Sequence, residues 1–218
     1  MIPDRIFFKN REVAAYRLID ILPVNKMKLE EWVVIATSFG GYPIAKVIAK
    51  ELEGSCDVMF SRKILSPNNE DCEVAIVTET EEVVIHEELV KAFDISLDFV
   101  FSKSRYIYEN DLSNTVCKFR RGKKLKDFAN KNILFVDEGL NTSLTMMACI
   151  KTAINLEAKS VSVAVPILPK ASISTIESIA DDLYYVESLD HFIDISFYYD
   201  SLEEIDYEEL IKIINNKG

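Results

Sequence analysis

One stretch near the middle of the chain, residues 131–145, constrains the fold more than any other. It begins with the apolar run 133–136, which is typical of a strand buried on both faces. Gly139 breaks this run, and the apolar spacing of residues 144–156 predicts a helix directly afterwards. A strand, a turn and a helix in this order direct the free N–H groups of the helix start into the turn. The stretch therefore predicts an anion site.

Polar side chains surround this predicted anion site. Asp137 and Glu138 come directly after the strand, and Asn141, Thr142 and Ser143 precede the helix, where any of the three can cap it. Two carboxylates beside a phosphate-sized cradle suit a ligand that carries both hydroxyl groups and a phosphate. We interpret the stretch as a cradle for a sugar phosphate.

The rest of the 218 residues alternates between strand-like and helix-like runs, which predicts a single α/β domain over residues 1–218. The chain has 25 basic and 36 acidic residues and a net charge of −11, which argues against nucleic acid or an anionic membrane as a partner. Its four cysteines are widely scattered, as in reduced cytosolic proteins. No apolar run reaches the roughly 18 residues of a membrane span, so we expect a cytoplasmic protein.

A second strand, loop and helix pattern lies closer to the N-terminus. Residues 32–37 form the predicted strand and residues 44–52 the predicted helix, with Ser38, Phe39, Gly40 and Gly41 between them. Two adjacent glycines allow unusual backbone angles and close approach of a ligand, or they form only a turn. The sequence leaves both alternatives open.

Two basic segments complete the list of candidate anion contacts. Residues 57–61 predict a strand that delivers Arg62 and Lys63 at its end, where they either hold a phosphate or form a solvated surface pair. Residues 73–78 and 82–85 predict a hairpin-like pair of strands. Residues 117–126 form a basic island, which suits a solvated loop or contact with a small polyphosphate.

Neither histidine has a partner at metal-ligand spacing, so no metal held by the protein alone is predicted.

Residues 133–145 resemble the phosphoribosyl diphosphate motif of type I phosphoribosyltransferases, in which apolar residues precede two acids, G-x-x-T-G and a Ser or Thr. The chain also resembles, along nearly its whole length, the predicted phosphoribosyltransferase group of bacteria and archaea. The segments that carry this longer resemblance are 8–15, 38–41, 62–63, 119–122, 163–166 and 192–200.

The resemblance implies a twisted, mostly parallel sheet flanked by helices, with the ligand at the carboxyl ends of the strands and residues 87–130 inserted as a mobile hood. The implied reaction transfers a phosphoribosyl group from phosphoribosyl diphosphate to a nitrogenous base. The implied cofactor is Mg²⁺, held mainly by the substrate. The implied partner is a small phosphorylated molecule, and a homodimer stays open as an alternative to a monomer.

The resemblance also implies roles for individual residues. Asp137 and Glu138 would hold the ribose hydroxyls and stabilise the sugar cation. The implied 5′-phosphate contacts are Leu140, Asn141, Thr142, Ser143, Leu144 and Thr145. The implied diphosphate contacts are Ser38, Phe39, Gly40, Gly41, Arg62 and Lys63.

Four positions depart from the family pattern at the site itself. Phe39 replaces an arginine that would contact the diphosphate, and Ser143 replaces the last glycine of G-x-x-T-G. Asn141 stands where a small residue is usual, and Glu138 lengthens the second acid. These departures leave two functions open: a transferase, or a catalytically degenerate regulatory protein of the same fold that binds a nucleotide or phosphate, such as a nucleoside 5′-monophosphate.

Overall fold

The computed structural model describes residues 7–215. Its strands, in chain order, are β1 (Trp32–Ala36), β2 (Ser55–Val58), β3 (Ser61–Ser66), β4 (Asn69–Thr78), β5 (Val83–Ile85), β6 (Asn132–Val136), β7 (Ser160–Pro169) and β8 (Asp182–Leu189). Its α-helices are α1 (Arg11–Ile21), α2 (Val24–Met27), α3 (Gly41–Glu51), α4 (Glu87–Ala92), α5 (Leu97–Ile107), α6 (Ser113–Arg120), α7 (Leu144–Asn155), α8 (Lys170–Glu177) and α9 (Tyr207–Asn215).

The centre of the fold is a five-stranded parallel sheet with the order β2-β1-β6-β7-β8. Every residue of β1 and β6 is buried, as expected for strands covered by helices on both faces. Val34 and Leu134 point to the layer that contains α1 and α3, whereas Ile35 and Phe135 point to the layer that contains α7 and α8. The predicted α/β class, with a mostly parallel sheet flanked by helices, is confirmed.

A smaller antiparallel sheet, β3-β4-β5, lies beside the carboxyl ends of the parallel strands and confirms the predicted hairpin-like pair. The predicted strand at 57–61 is wrong, because β2 ends at Val58 and β3 begins at Ser61 in the other sheet. Arg62 and Lys63 consequently lie at the beginning of β3. The run from residue 57 to 65 contains no Gly or Pro to mark this change of sheet.

The segment between β5 and β6 is mainly helical and packs against the small sheet. Helices α4, α5 and α6 follow one another, and a π-helical turn (Tyr108–Leu112) joins α5 to α6. We refer to helices α4–α6, with the π-helical turn between α5 and α6, as the hood. Among the described residues, every helix is too short or too polar to cross a membrane.

Candidate active site

The carboxyl ends of β1 and β6 lie side by side, because the two strands are parallel and Ala36 pairs with Val136. This register brings the residues after β1 next to Asp137. The hydroxyl of Thr37 donates to Asp137 Oδ2 at 2.6 Å, the hydroxyl of Ser38 donates to Oδ1, and the backbone N–H of Glu138 donates to Oδ1 at 2.8 Å. Both oxygens of the Asp137 carboxylate are therefore held in one orientation.

Burial raises the pKa of Asp137 above its ordinary value. The hydrogen bonds from Ser38, Thr37 and Glu138 oppose this shift, and so does the charge of Arg11. A buried carboxylate that is oriented by fixed donors is typical of an active site.

Glu138 is held by two residues from distant parts of the chain. Arg11, the first residue of α1, donates from Nε to Oε2 at 2.8 Å. The Tyr199 hydroxyl donates to the backbone oxygen of Glu138 at 2.7 Å. Burial raises the pKa of Glu138, and the negative charge of Asp137 raises it further, whereas Arg11 lowers it. The sequence assigns Arg11 no role, although Arg11 lies in the segment 8–15 that carries part of the family resemblance.

Gly40 and Gly41 lie behind the two acids. A Cβ atom at Gly40 would overlap with the Glu138 carboxylate, and one at Gly41 would lie 2.9 Å from both Cα and Oδ1 of Asp137. Gly40 has ordinary helical angles, with φ −66° and ψ −31°, so of the alternatives that the sequence left open, unusual backbone angles do not apply to it. The glycines allow close packing of the acids, and their contact with a diphosphate stays a prediction.

A pocket of about 540 Å³ opens between the carboxyl ends of the parallel strands and the beginning of β3. Ten of the fourteen predicted site residues line it: Ser38, Phe39, Arg62, Lys63, Asp137, Glu138, Leu140, Asn141, Thr142 and Thr145. The other four, Gly40, Gly41, Ser143 and Leu144, are not part of the lining. The pocket thus contains residues from the predicted 5′-phosphate set and from the predicted diphosphate set, together with Asp137 and Glu138.

The loop between β6 and α7 makes a sharp turn at the floor of this pocket. Gly139 has a φ of +159°, and a Cβ there would lie 3.0 Å from the side chain of Ile167. Ser143, one of the three candidate caps, is the N-cap residue of α7, but its side chain makes no capping hydrogen bond. The first backbone N–H groups of a helix have no acceptor within the helix, and the side chain of Ser143 does not supply one here. They are suited to an external anion.

Lys63 and Thr142 both line the pocket, and a single buried carboxylate, that of Glu73, contacts them both. Lys63 Nζ lies 2.9 Å from Glu73 Oε2, and the Thr142 hydroxyl donates to Glu73 Oε1 at 3.3 Å. The Glu73 side chain is only 8% exposed, whereas that of Lys63 is 62% exposed. Sequence reasoning missed Glu73, which begins the predicted strand 73–78 and belongs to no motif.

Arg62, the second predicted diphosphate contact of the basic pair, also has an acidic partner. Its Nε lies 2.6 Å from Asp111 Oδ2, and another guanidinium nitrogen donates to the Thr115 hydroxyl at 2.9 Å. Asp111 belongs to the π-helical turn of the hood. Arg62 therefore ties the edge of the pocket to the hood.

Phe39 is a half-buried part of the pocket wall. Its ring contacts Phe60 edge-on at 5.9 Å between centroids, and Phe60 contacts Phe119 in the same manner at 4.7 Å. The position that the family resemblance assigns to an arginine is thus the end of an aromatic row. This row continues into the hood.

Arg120 fastens the hood to the sheets. Its guanidinium donates to both oxygens of Glu79 at 2.7 Å, to Asp57 at 3.1 Å and to the backbone oxygen of Val58 at 2.9 Å. Arg120 is 7% exposed. The expectation that the basic island is a solvated or polyphosphate-binding loop is wrong at this residue, because two acids from β2 and the end of β4 pair with it inside the protein.

Comparison with known proteins identifies the family. A family model described as "Phosphoribosyl transferase domain" matches residues 10–201. Two Mycobacterium tuberculosis proteins, from strains CDC 1551 / Oshkosh and ATCC 25618 / H37Rv, are both named "Putative phosphoribosyl transferase". Each is 27% identical over 154 residues, which make up 69% of this chain and 34% of the relative. The chain spans about a third of the length of these relatives.

The crystal structure of the protein TT1426 from Thermus thermophilus has the same fold. Its TM-score is 0.77 at 21% identity, and the match covers 95% of this chain and 97% of that one. The family model covers most of the described chain, including β1, the hood, β6 and the pocket loop. This chain belongs to the phosphoribosyl transferase domain family.

Proposed function

We propose that the pocket binds phosphoribosyl diphosphate and that the protein transfers the phosphoribosyl group to a nitrogenous base. The observation that carries this proposal is the position of Asp137 and Glu138. They lie between a buried parallel strand and an uncapped helix start, in one pocket with Arg62 and Lys63. Parallel α/β sheets bind ligands at this edge.

The pocket divides into parts that suit the parts of such a substrate. The N–H groups at the start of α7, with Thr142 and Thr145, suit the 5′-phosphate. Asp137 and Glu138 suit the ribose hydroxyls. Arg62 and Lys63 line the same pocket, and their positive charges suit the diphosphate.

In the proposed reaction the bond between C1 of the ribose and the diphosphate oxygen breaks, and the bond electrons leave with the diphosphate. A nitrogen of the base then donates its electron pair to C1. Positive charge develops on the sugar between these events, and the oriented carboxylate of Asp137 stabilises it electrostatically. The donors Thr37 and Ser38 favour the ionised form that this role requires.

Mg²⁺ would enter this pocket with the diphosphate. Within residues 7–215 no group of three or more His, Cys, Asp or Glu side chains is arranged to hold a metal ion. Mg²⁺ at phosphate sites is commonly bound by one or two carboxylates and the substrate phosphates, and Asp137 and Glu138 fit that pattern. When bound, the ion would neutralise charge on the leaving diphosphate.

A second candidate function is binding of a phosphorylated ligand without transfer. It is favoured by Phe39, which places an aromatic side chain in the pocket lining where a cation would aid departure of diphosphate. Arg62 and Lys63 also have carboxylate partners in the protein. Under this alternative, a nucleoside 5′-monophosphate would fill the pocket and remain intact.

The test combines binding with release of diphosphate. Phosphoribosyl diphosphate with Mg²⁺ should raise the melting temperature, because a ligand that binds only the folded state stabilises it. Diphosphate should be released when candidate bases are supplied, and Asp137→Asn should abolish the release. Asp98→Asn, at an exposed position of α5, is the matched control and should change nothing. Release that Asp137→Asn leaves unchanged would show that the activity has another origin.

Binding without release would favour the second candidate. In that case the wild-type protein should show a thermal shift with nucleoside 5′-monophosphates, and Asp137→Asn should leave the shift largely intact. The phosphate is expected to be held by the loop after Asp137, so loss of the carboxylate charge does not remove its donors.

A further inference from the structure

Glu73 on β4 is a buried acid placed between two pocket residues that the proposed function assigns to phosphate groups. One carboxylate oxygen accepts from Lys63 Nζ at 2.9 Å, and the other accepts from the Thr142 hydroxyl at 3.3 Å. Glu73 therefore makes, within the protein, the two kinds of contact that a phosphate oxygen would make: one with an ammonium group and one with a hydroxyl.

The burial of Glu73 distinguishes it from the other acid that pairs with a pocket cation. The Asp111 side chain is 55% exposed and can move into solvent when a ligand competes for Arg62. The Glu73 side chain is 8% exposed and projects from a strand, so it has no comparable route into solvent. A phosphate that reached Thr142 would therefore meet a fixed negative charge near that hydroxyl.

We propose that Glu73 limits the affinity of the 140–145 loop for phosphate groups. This inference rests on the proposed phosphate site there. Glu73 accepts the hydrogen bond of the Thr142 hydroxyl and pairs with the Lys63 ammonium group. A phosphate therefore gains less binding free energy from either residue. Inorganic phosphate and the phosphate of a sugar phosphate then bind this loop less tightly than its N–H and hydroxyl donors alone would allow.

The test is isothermal titration calorimetry with two probes, inorganic phosphate and ribose 5-phosphate. Glu73→Gln keeps the size of the side chain and removes its charge, and it should bind both probes about tenfold more tightly than wild type. Glu70→Gln, an exposed position of the same strand, makes the same change in net charge and should alter affinity by less than about twofold. Equal or weaker binding by folded Glu73→Gln would overturn the proposal.

Glu73→Asp provides a second test if Glu73→Gln does not fold. It retains the charge that pairs with Lys63 but is one methylene shorter, so it is expected to lose contact with Thr142. Its affinity for both probes should rise by about threefold, as expected when a hydroxyl donor is released. No rise would overturn the proposal.

The outcomes separate this inference from the proposed transferase function. Diphosphate release by wild type, without a gain in phosphate affinity in Glu73→Gln, would contradict the role of Glu73 and leave the function intact. A gain for both probes without diphosphate release would support the role of Glu73 and contradict transfer. If wild type and both variants bind neither probe, both proposals are wrong.

Discussion

The guanidinium of Arg11 lies 2.8 Å from the carboxylate of Glu138, although 127 positions separate the two residues in the chain. Their side chains are 13% and 19% exposed, so the pair is largely shielded from water. Arg11, the first residue of α1, thus neutralises the negative charge of Glu138. This relation makes α1 part of the electrostatics of the site and yields a prediction about pH.

Arg11→Gln should lower the free energy of unfolding by about 2–4 kcal/mol at pH 8, because it leaves Glu138 without its countercharge. Burial already raises the pKa of Glu138, and loss of Arg11 should raise it further. An acid whose pKa is raised on folding loses stability as pH rises through that pKa. The deficit of the variant should therefore be smaller at pH 5 than at pH 8, as measured by urea unfolding.

Two controls accompany this prediction. Arg105→Gln removes an exposed arginine that pairs with Glu109 on the hood surface, and it should cost less than about 0.5 kcal/mol. Adding Glu138→Gln to Arg11→Gln should recover most of the loss at pH 8. An identical deficit at both pH values would show that Arg11 acts through packing and not through the charge of Glu138.

Asp137→Asn should stabilise the fold at pH 8 while it removes the proposed activity. Burial raises the pKa of Asp137, so the ionised form destabilises the folded state once pH exceeds that raised value. We expect a gain of about 1 kcal/mol, or roughly 2–4 °C in melting temperature, at pH 8. The gain should shrink at pH 5, where the wild-type carboxyl is closer to its protonated form. A lower melting temperature at pH 8 would mean that the hydrogen bonds of Thr37 and Ser38 outweigh the burial of charge.

Arg120→Met should destabilise the protein by about 3–5 kcal/mol, because Glu79 and Asp57 would remain buried without a countercharge. The loss should be accompanied by faster hydrogen exchange in α6, since the hood loses its fastening to β2 and the end of β4. Lys118→Met, on an exposed face of the same helix, is the matched control. Unchanged exchange in α6 would show that the aromatic contacts of Phe119 are sufficient to hold the hood.

Phe39→Arg should strengthen the binding of phosphoribosyl diphosphate by about tenfold to a hundredfold if the pocket accepts the diphosphate as proposed. A guanidinium on this wall would donate a charge-assisted hydrogen bond, worth roughly 1.5–3 kcal/mol. Calorimetry with Mg²⁺ present measures the gain, and Phe39→Leu is the control for loss of the contact with Phe60. A lower melting temperature without a gain in affinity would favour the binding-protein function.

Local patterns were sufficient to identify the central unit of the fold. The apolar run 133–136 and the helical spacing over 144–156 correspond to β6 and α7 within one residue. Both patterns arise from burial of neighbouring side chains, so they are visible in a short window. The change of sheet between β2 and β3 was not visible, because a run without Gly or Pro is compatible with either sheet. The sequence singled out Gly40 but did not show why a glycine is needed there. The Glu138 carboxylate, which leaves no room for a Cβ atom, comes from a distant segment of the chain.

The sequence by itself determined which chemical groups reach the site: a strand that ends in two acids, a helix start and a basic pair. Only the tertiary structure decided how the charges of these groups are distributed. Glu138 pairs with Arg11, Lys63 pairs with Glu73, and Arg120 is enclosed with Glu79. In each pair the two partners come from different elements of the fold. The energy of an ion pair depends on distance and burial, which no spacing along the chain specifies.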